Sequence, residues 1–124
     1  PETRDGERIF GLLGCAACHV PVLPTGPSDN PLFDRRAVPA FSDFLLHDVG
    51  TGDGIVQAGA LATEIRTPAL WGLRTRRPFL HDGRAATIAD AIAAHAREAD
   101  AARRGFGQLS SADREKLLAF LRSL

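Results

Sequence analysis

The feature that most constrains this chain is the segment Cys15-Ala-Ala-Cys-His19, which has the form C-x-x-C-H. This form is the attachment signature of c-type haem. Two thiols three residues apart on a short helical turn can reach the two vinyl groups at one porphyrin edge, and the adjacent imidazole then lies under the iron. We therefore predict that Cys15 and Cys18 hold one haem covalently and that His19 is an axial ligand of its iron.

Three other interpretations of the cysteine pair are a thioredoxin-like redox pair, half of a zinc site, and a chance occurrence. A zinc site normally needs a second cysteine pair or a suitably spaced pair of histidines, and the chain holds only 2 cysteines. A thioredoxin-like pair normally lies in a βαβ unit, whereas almost no alternating strand pattern surrounds this one. Haem attachment is therefore favoured, and the dithiol pair is kept as a third hypothesis.

The length and composition of the chain predict one domain that covers residues 1–124. The 124 residues are too few for two domains of ordinary size, and 12 glycines with 8 prolines indicate long loops around a modest core. The 15 basic side chains balance 15 acidic ones, so the positive field of a nucleic-acid-binding protein is missing. The longest apolar runs fall far short of the roughly 20 residues that a membrane span requires. We expect no nucleic-acid partner and no membrane span.

Helices are predicted at both ends of the chain. From Thr3 to Leu13, small and apolar residues fall on one face at helical spacing. Near the other end, Ser110 followed by Asp113 is a helix start signal, and an apolar stripe follows it. That stripe consists of Leu117, Phe120, Leu121 and Leu124.

A third helix is predicted from Thr87 and Asp90, which resemble a capping box with Asp in place of Glu. The residues that then share one helical face are Ile88, Ala91, Ile92, His95 and Ala99. This spacing places His95 on the inward side of the helix.

The remaining segments are predicted to be mostly loops. Five prolines between Val20 and Pro39 block regular structure there. We expect a helical turn over Phe41 to Leu46 and an irregular, glycine-rich segment over Val49 to Gly59. A short helix is predicted over Thr67 to Gly72, followed by a basic loop over Arg74 to Gly83.

The two terminal helices resemble those of the class I cytochrome c fold, in which they cross and pack together. Gly6 and Phe10 match the small-then-aromatic pair of the first helix of that fold, and Phe120 matches an aromatic residue of the last. The resemblance implies an all-α fold, with the N- and C-terminal helices packed together around one covalent haem and with long proline- and glycine-rich loops.

Further matches to a more specific family are spread through nearly the whole chain. The matching stretches are Cys15 to Pro21, Ser42 to Asp48, Arg66 to Gly72, Phe79 to Arg84 and Thr87 to His95. In this ordered series the chain resembles the C-terminal haem domain of bacterial di-haem oxidoreductases, which are related to the di-haem cytochrome c peroxidases. Those enzymes need a second haem domain, and only one attachment motif is present here. Their peroxidase activity is therefore not carried over wholesale.

The second axial ligand must be a histidine if the protein supplies one, because the chain contains no methionine and no tyrosine. His95 is favoured, since an imidazole on an apolar helix face needs a polar partner. The family resemblance also implies a ligand from the helix after the His-Asp-Gly loop. The alternative is His81, whose plainer role would be to order the Asp82-Gly83 turn. His47 adjoins Asp48 and is expected to form local hydrogen bonds.

Arg66 and Trp71 are candidates for hydrogen bonds to the haem propionates, because buried carboxylates need cationic or N–H partners. A surface salt bridge for Arg66 and a plain core position for Trp71 are the simpler alternatives. A basic cluster adjoins the proposed haem loop and is formed by Arg74, Arg76, Arg77 and Arg84. The cluster is either a solvated face or a docking surface for an acidic redox partner.

The leading functional hypothesis is electron transfer by a low-spin, bis-histidine haem, in a small carrier or in a relay domain of an oxidoreductase. The alternative is a five-coordinate, peroxidase-like haem that binds peroxide or another small ligand, with His81 or His47 as distal acid or base. The chain begins at Pro1 without an apolar signal segment, which predicts a mature protein or an excised domain. Through the cytochrome c resemblance, covalent haem implies maturation outside the cytoplasm, so we expect a bacterial periplasmic or exported protein.

Overall fold

The two terminal helices cross at a glycine. The computed structural model describes residues 2–124, and in it α1 (Glu2–Leu12) packs against α4 (Ser111–Leu121). A Cβ atom added at Gly6 would clash with the backbone oxygen of Lys116. Such close approach of two backbones requires glycine. Gly6 therefore sets how closely α1 and α4 approach each other.

The hydrophobic core lies between these two helices and the segments that cover them. Its buried members are Ile9, Phe10, Leu73, Phe106, Leu117, Phe120 and Leu121. The rings of Phe10 and Phe120 lie 5.6 Å apart, and Phe41 meets both of them edge-on at 6.1 and 5.8 Å. Phe41 belongs to a loop, so this aromatic cluster anchors that loop to the helices.

Local capping signals fix the starts of two helices. The Thr87 side chain accepts a hydrogen bond from the Asp90 N–H at 3.0 Å, and the Asp90 carboxylate accepts one from the Thr87 N–H at 3.0 Å. This capping box begins α2 (Ile88–Ala94). Ser110 accepts from the Asp113 N–H at 3.1 Å and begins α4. Both predicted start signals are confirmed.

The all-α prediction is wrong, because the structure also contains two small antiparallel sheets. In the first, β1 (Leu23–Pro24) pairs with β2 (Ala37–Val38). In the second, β3 (Leu46–His47) pairs with β4 (Ile65–Arg66), with His47 opposite Ile65. The protein is a small domain of mixed helix and strand. Strands of two residues are too short to leave an alternating pattern in the sequence.

Two further expectations about local structure are wrong, and the predicted helix after Thr87 forms but does not extend to Ala99. The predicted turn over Phe41 to Leu46 is not helical, and its end belongs to β3. No helix forms over Thr67 to Gly72, and a 3-10 turn follows instead at Leu73–Thr75. The Thr87 helix stops at Ala94, after which come a 3-10 turn at Arg97–Ala99 and the separate helix α3 (Asp100–Gln108).

The helix after Thr87 ends early because the chain has other hydrogen-bond partners there. His95 has ψ 124°, which is an extended conformation. The N–H of Ala96 donates to the Val49 oxygen at 2.8 Å, and the N–H of Glu98 donates to the Asp48 oxygen at 3.2 Å. The segment after His95 is thereby held against the 48–50 loop, which lies far away in sequence. No helix within residues 2–124 is long and apolar enough to cross a membrane.

Candidate haem-binding site

The attachment motif begins directly after the first helix. Beyond the end of α1, Gly14 adopts φ 83°, a left-handed conformation that glycine accepts at little cost. This turn leads straight into a 3-10 turn at Cys15–Ala17, and the His19 N–H donates to the Cys15 oxygen at 2.9 Å. The short turn brings both cysteines and His19 to one end of α1.

The two cysteines are free, partly buried thiols. Burial raises the pKa of Cys15 to about 11. Burial also raises the pKa of Cys18, and the carboxylates of Asp43 and Glu98 raise it further. A reactive dithiol pair needs a lowered pKa so that one thiolate is present near neutral pH. The environment of this pair therefore argues against dithiol redox chemistry.

His19 is held in one orientation by a backbone carbonyl. Its Nδ1 lies 3.0 Å from the oxygen of Phe41, and a carbonyl only accepts, so Nδ1 carries the proton. Nε2 then keeps its lone pair, the arrangement in which a histidine ligates a metal. Burial lowers the pKa of His19, which favours the neutral imidazole.

The residue that holds His19 has an unusual backbone. Phe41 adopts φ 51°, a left-handed conformation that costs a non-glycine residue about 1–3 kcal/mol. Its ring packs in the aromatic cluster with Phe10, and the Phe10 ring centroid lies 6.4 Å from that of His19. Packing of the ring thus supports a backbone that aims the carbonyl at Nδ1.

In His95, as in His19, Nδ1 contacts a backbone carbonyl and Nε2 is left available. It lies at the C-terminal cap of α2 and is partly buried, and its Nδ1 lies 2.7 Å from the oxygen of Ala91. Nδ1 therefore donates and Nε2 keeps its lone pair. After burial and the Phe41 contact, the charge of His95 is the next influence on the pKa of His19 and lowers it.

Both ring nitrogens of His47 form hydrogen bonds to carboxylates. Nε2 lies 2.7 Å from Asp43 Oδ2, and Nδ1 lies 2.9 Å from Glu98 Oε2. We call these three side chains the His47 network. Since carboxylates accept, both nitrogens donate, and neither has a lone pair for iron. The expectation of local hydrogen bonds for His47 is met through Asp43, whereas Glu98 is distant in sequence and was missed.

His81 lies on an exposed loop. Its Nε2 is 3.6 Å from Asp53 Oδ2, an ion-pair distance that is too long for a hydrogen bond. The adjacent turn is ordered by the Arg84 N–H, which donates to Asp82 Oδ1 at 3.1 Å, and by the Arg84 side chain on the same carboxylate. The structure gives His81 no part in that turn and does not bring it into contact with His19 in any described interaction.

The two propionate candidates have no carboxylate partner among the described residues. The Arg66 guanidinium lies 5.8 Å from the ring centroid of Phe44, as a cation–π pair on an exposed part of β4. Trp71 is 48% exposed, so a plain core position for it is wrong. Its carbonyl accepts from Arg76, and the neighbouring Gly72 N–H donates to the Leu124 oxygen at 2.7 Å.

Among the described residues, two of the four arginines of the predicted basic cluster have hydrogen-bond or ion-pair partners, and two do not. Arg76 donates to the carbonyls of Ala69 and Trp71, and Arg84 pairs with Asp82. Within residues 2–124, Arg74 and Arg77 lie in no ion pair, and they border a cavity of about 180 Å³. The cavity is lined by Leu73, Arg74, Arg77, Phe79, Thr87, Ile88, Ala89, Leu118 and Arg122.

Comparison with known proteins identifies the family. The sequence model of the family described as "Di-haem oxidoreductase, putative peroxidase" matches residues 1–124. The chain belongs to the di-haem oxidoreductase family. The predicted resemblance to di-haem oxidoreductases is confirmed, and membership makes this chain a haem-binding oxidoreductase domain. A search of curated protein sequences finds no match.

The donor set at this site fits the haem that di-haem oxidoreductases bind. Two free thiols flank one turn, and His19 follows them with an unprotonated Nε2. His95 supplies a second imidazole of the same tautomer from the end of α2. Imidazole nitrogens are common axial ligands of haem iron. Each of these donors is predicted from the sequence, whereas the tautomers are visible only in the folded contacts.

Proposed function

We propose that this domain transfers electrons through one covalently bound c-type haem whose iron is ligated by His19 and His95. In this proposal, thioether bonds at Cys15 and Cys18 hold the haem edge. The domain acts as a small carrier or as a relay within a larger di-haem oxidoreductase. Because c-type attachment takes place outside the cytoplasm, we propose a periplasmic or exported location.

The observation that supports this proposal is the tautomer that His19 and His95 share. His19 and His95 each donate Nδ1–H to a backbone carbonyl, at 3.0 and 2.7 Å. A histidine whose Nδ1–H is held in this way presents Nε2 to a metal. His47 lacks a free nitrogen, and His81 lies on an exposed loop beside Asp53. His95 is therefore preferred over His81 as the second ligand.

The residues of this chain orient both ligands. The Phe41 carbonyl fixes the His19 ring, and burial favours its unprotonated form. The Ala91 carbonyl likewise fixes the orientation of the His95 ring at the end of α2. When bound, the haem supplies a one-electron couple, and two nitrogen ligands give it a lower potential than His/Met ligation would. If His19 and His95 both ligate the iron, no coordination position would remain for peroxide on this domain.

We also propose that the redox partner is a protein with an acidic surface. Arg74 and Arg77 are exposed, lie in no ion pair within the described chain, and border the same cavity as Arg122. Positive charge on one face attracts an acidic partner and speeds their encounter. The buried side chains of Leu73 and Leu118 line the same cavity.

Absorption and EPR spectra of the haem-loaded domain test the ligation. We expect low-spin haem in the unaltered protein. A His95→Ala variant should change to high-spin haem, because neither His47 nor His81 is placed to replace the His95 Nε2 as the second ligand. The matched control is His81→Ala, which should stay low-spin.

Other spectra would contradict the proposal in distinct ways. Predominantly high-spin haem in the unaltered protein would support the five-coordinate, peroxidase-like alternative. A change to high-spin haem in His81→Ala, with His95→Ala unaffected, would assign the second ligand to His81. Absence of a covalent haem band on a denaturing gel would remove c-type attachment and restore the dithiol interpretation.

A further inference from the structure

The His47 network joins three side chains from distant parts of the sequence. Asp43 precedes β3, His47 ends β3, and Glu98 lies in the 3-10 turn beyond His95. Glu98 is fixed in place, since its Oε1 also accepts from the Asp48 N–H at 2.8 Å while its Oε2 faces His47. The network contains one cation and two anions when His47 is protonated.

The His47 network lies against the cysteine that is proposed to bind the haem edge. The Sγ atom of Cys18 and the nearest side-chain nitrogen or oxygen atoms of Asp43 and His47 all lie within 4.8 Å of one another. Besides burial, the carboxylates of Asp43 and Glu98 raise the pKa of Cys18. The charge of Asp43 also raises the pKa of His19, and that of His47 lowers it. A haem bound through Cys18 therefore has these charges at its edge.

We infer that His47 takes up a proton when the haem takes up an electron, so that the domain couples electron transfer to proton transfer. This inference rests on the proposed function, because it needs a haem bound through Cys18. One electron comes from the redox partner, and one proton comes from solvent. The proton forms one N–H bond on the His47 ring, and no other bond forms or breaks.

The direction of the coupling follows from charge. Reduction removes one positive charge from the haem, so the nearby His47 cation becomes easier to form. Linkage makes the effect reciprocal, and a protonated His47 favours reduction by the same factor by which reduction favours protonation. Loss of the proton changes the network from one net negative charge to two, which favours the oxidised haem.

The surroundings of His47 allow it to exchange protons with solvent. Its side chain is 18% exposed, and hydrogen bonds to Glu98 and Asp43 raise its pKa above the ordinary value. Across the ladder it faces the apolar Ile65. The charged and titratable groups near it are Cys18, His19, Asp43 and Glu98, together with Asp48, which pairs with Arg97 at 3.2 Å.

Spectroelectrochemical titration of the haem-loaded domain tests the inference. The series should bracket the ordinary histidine pKa of about 6.5 and extend well above it. We expect the midpoint potential to fall as the pH rises between the His47 pKa of the oxidised state and that of the reduced state. If reduction raises this pKa by about one unit, the equilibrium constant for reduction falls about tenfold in total.

Two variants separate proton coupling from a purely structural role. In His47→Gln the potential should lose this pH dependence. In Glu98→Gln, which keeps an amide oxygen for the Asp48 N–H, the pH-dependent range should move to lower pH, because the largest influence that raises the His47 pKa is removed. Glu98 is exposed, so this variant is expected to fold even where His47→Gln does not. The control is Arg104→Gln, which removes one exposed positive charge on α3 and should keep the parental pH dependence.

The outcomes distinguish this inference from the proposed function. Low-spin haem with a potential that does not vary with pH would overturn the proton coupling and leave the ligation intact. A pH dependence that stays unchanged in both His47→Gln and Glu98→Gln would also overturn it. High-spin haem in the unaltered protein would instead refute the proposed ligation.

Discussion

At the scale of single residues, Ser42 fixes the loop that orients His19. Ser42 is fully buried, and its Oγ donates to the Thr67 oxygen and accepts from the Phe44 N–H, both at 2.9 Å. Its own N–H donates to the Val20 oxygen at 2.9 Å. Since Ser42 directly follows Phe41, these bonds hold the carbonyl that faces His19.

Replacement of Ser42 by alanine should destabilise the fold by about 1–3 kcal/mol, because it leaves the buried Thr67 oxygen and the Phe44 N–H without this partner. Urea denaturation of the haem-loaded protein measures the loss. The matched control is Ser111→Ala at an exposed position, which should change the free energy of unfolding by no more than about 0.5 kcal/mol. Equal effects at the two positions would show that the Ser42 hydroxyl does not stabilise the loop.

At the scale of secondary-structure elements, the α1–α4 contact depends on Gly6. Its Cβ in a Gly6→Ala variant would meet the backbone oxygen of Lys116 and the Cβ of Phe120, neither of which is the end of a flexible side chain. The helices must then move apart at a point where the core is fully packed. Overpacking of this kind costs about 1–3 kcal/mol or more.

Thermal unfolding of Gly6→Ala should therefore show a lower Tm than that of the unaltered protein. Gly11→Ala is the matched control in the same helix, since nothing lies within 4 Å of its added Cβ. That substitution should raise stability by up to about 1 kcal/mol through helix propensity. If both variants gained stability, the close crossing of α1 and α4 would be contradicted.

At the scale of the whole molecule, the net charge is +0, so attraction to an acidic partner must come from a local surface. Arg74 and Arg77, which lie in no ion pair within the described residues, supply such a surface beside one cavity. We expect electron transfer with an acidic one-electron carrier protein to slow as ionic strength rises, because salt screens exposed charges.

A double variant, Arg74→Glu with Arg77→Glu, should reduce the second-order rate constant on the order of tenfold at low salt, as measured by stopped-flow absorption. The control is Arg35→Glu, an exposed arginine that does not line the cavity. An equal reduction in the control would mean that overall charge, rather than this surface, governs the encounter.

The sequence by itself determined the features that depend on neighbouring residues. The attachment motif, the caps at Thr87 and Ser110, and the terminal helices are all local patterns with a physical cause within a few residues. With no methionine or tyrosine in the chain, and with both cysteines assigned to haem attachment, the sequence predicts a histidine as any second axial ligand. Family membership follows from the same sequence.

Only the tertiary structure decided what depends on contacts between distant residues. The two sheets pair strands of two residues across long loops, and such short strands carry no periodic signal. The Phe41 carbonyl, 22 residues away in sequence, fixes the tautomer of His19. The Glu98 carboxylate, 51 residues away, accepts a hydrogen bond from His47. α2 ends at Ala94, and the N–H groups of Ala96 and Glu98 that follow bond to the 48–50 loop instead. Hydrogen bonds of this kind are fixed by packing in three dimensions, which no local pattern encodes.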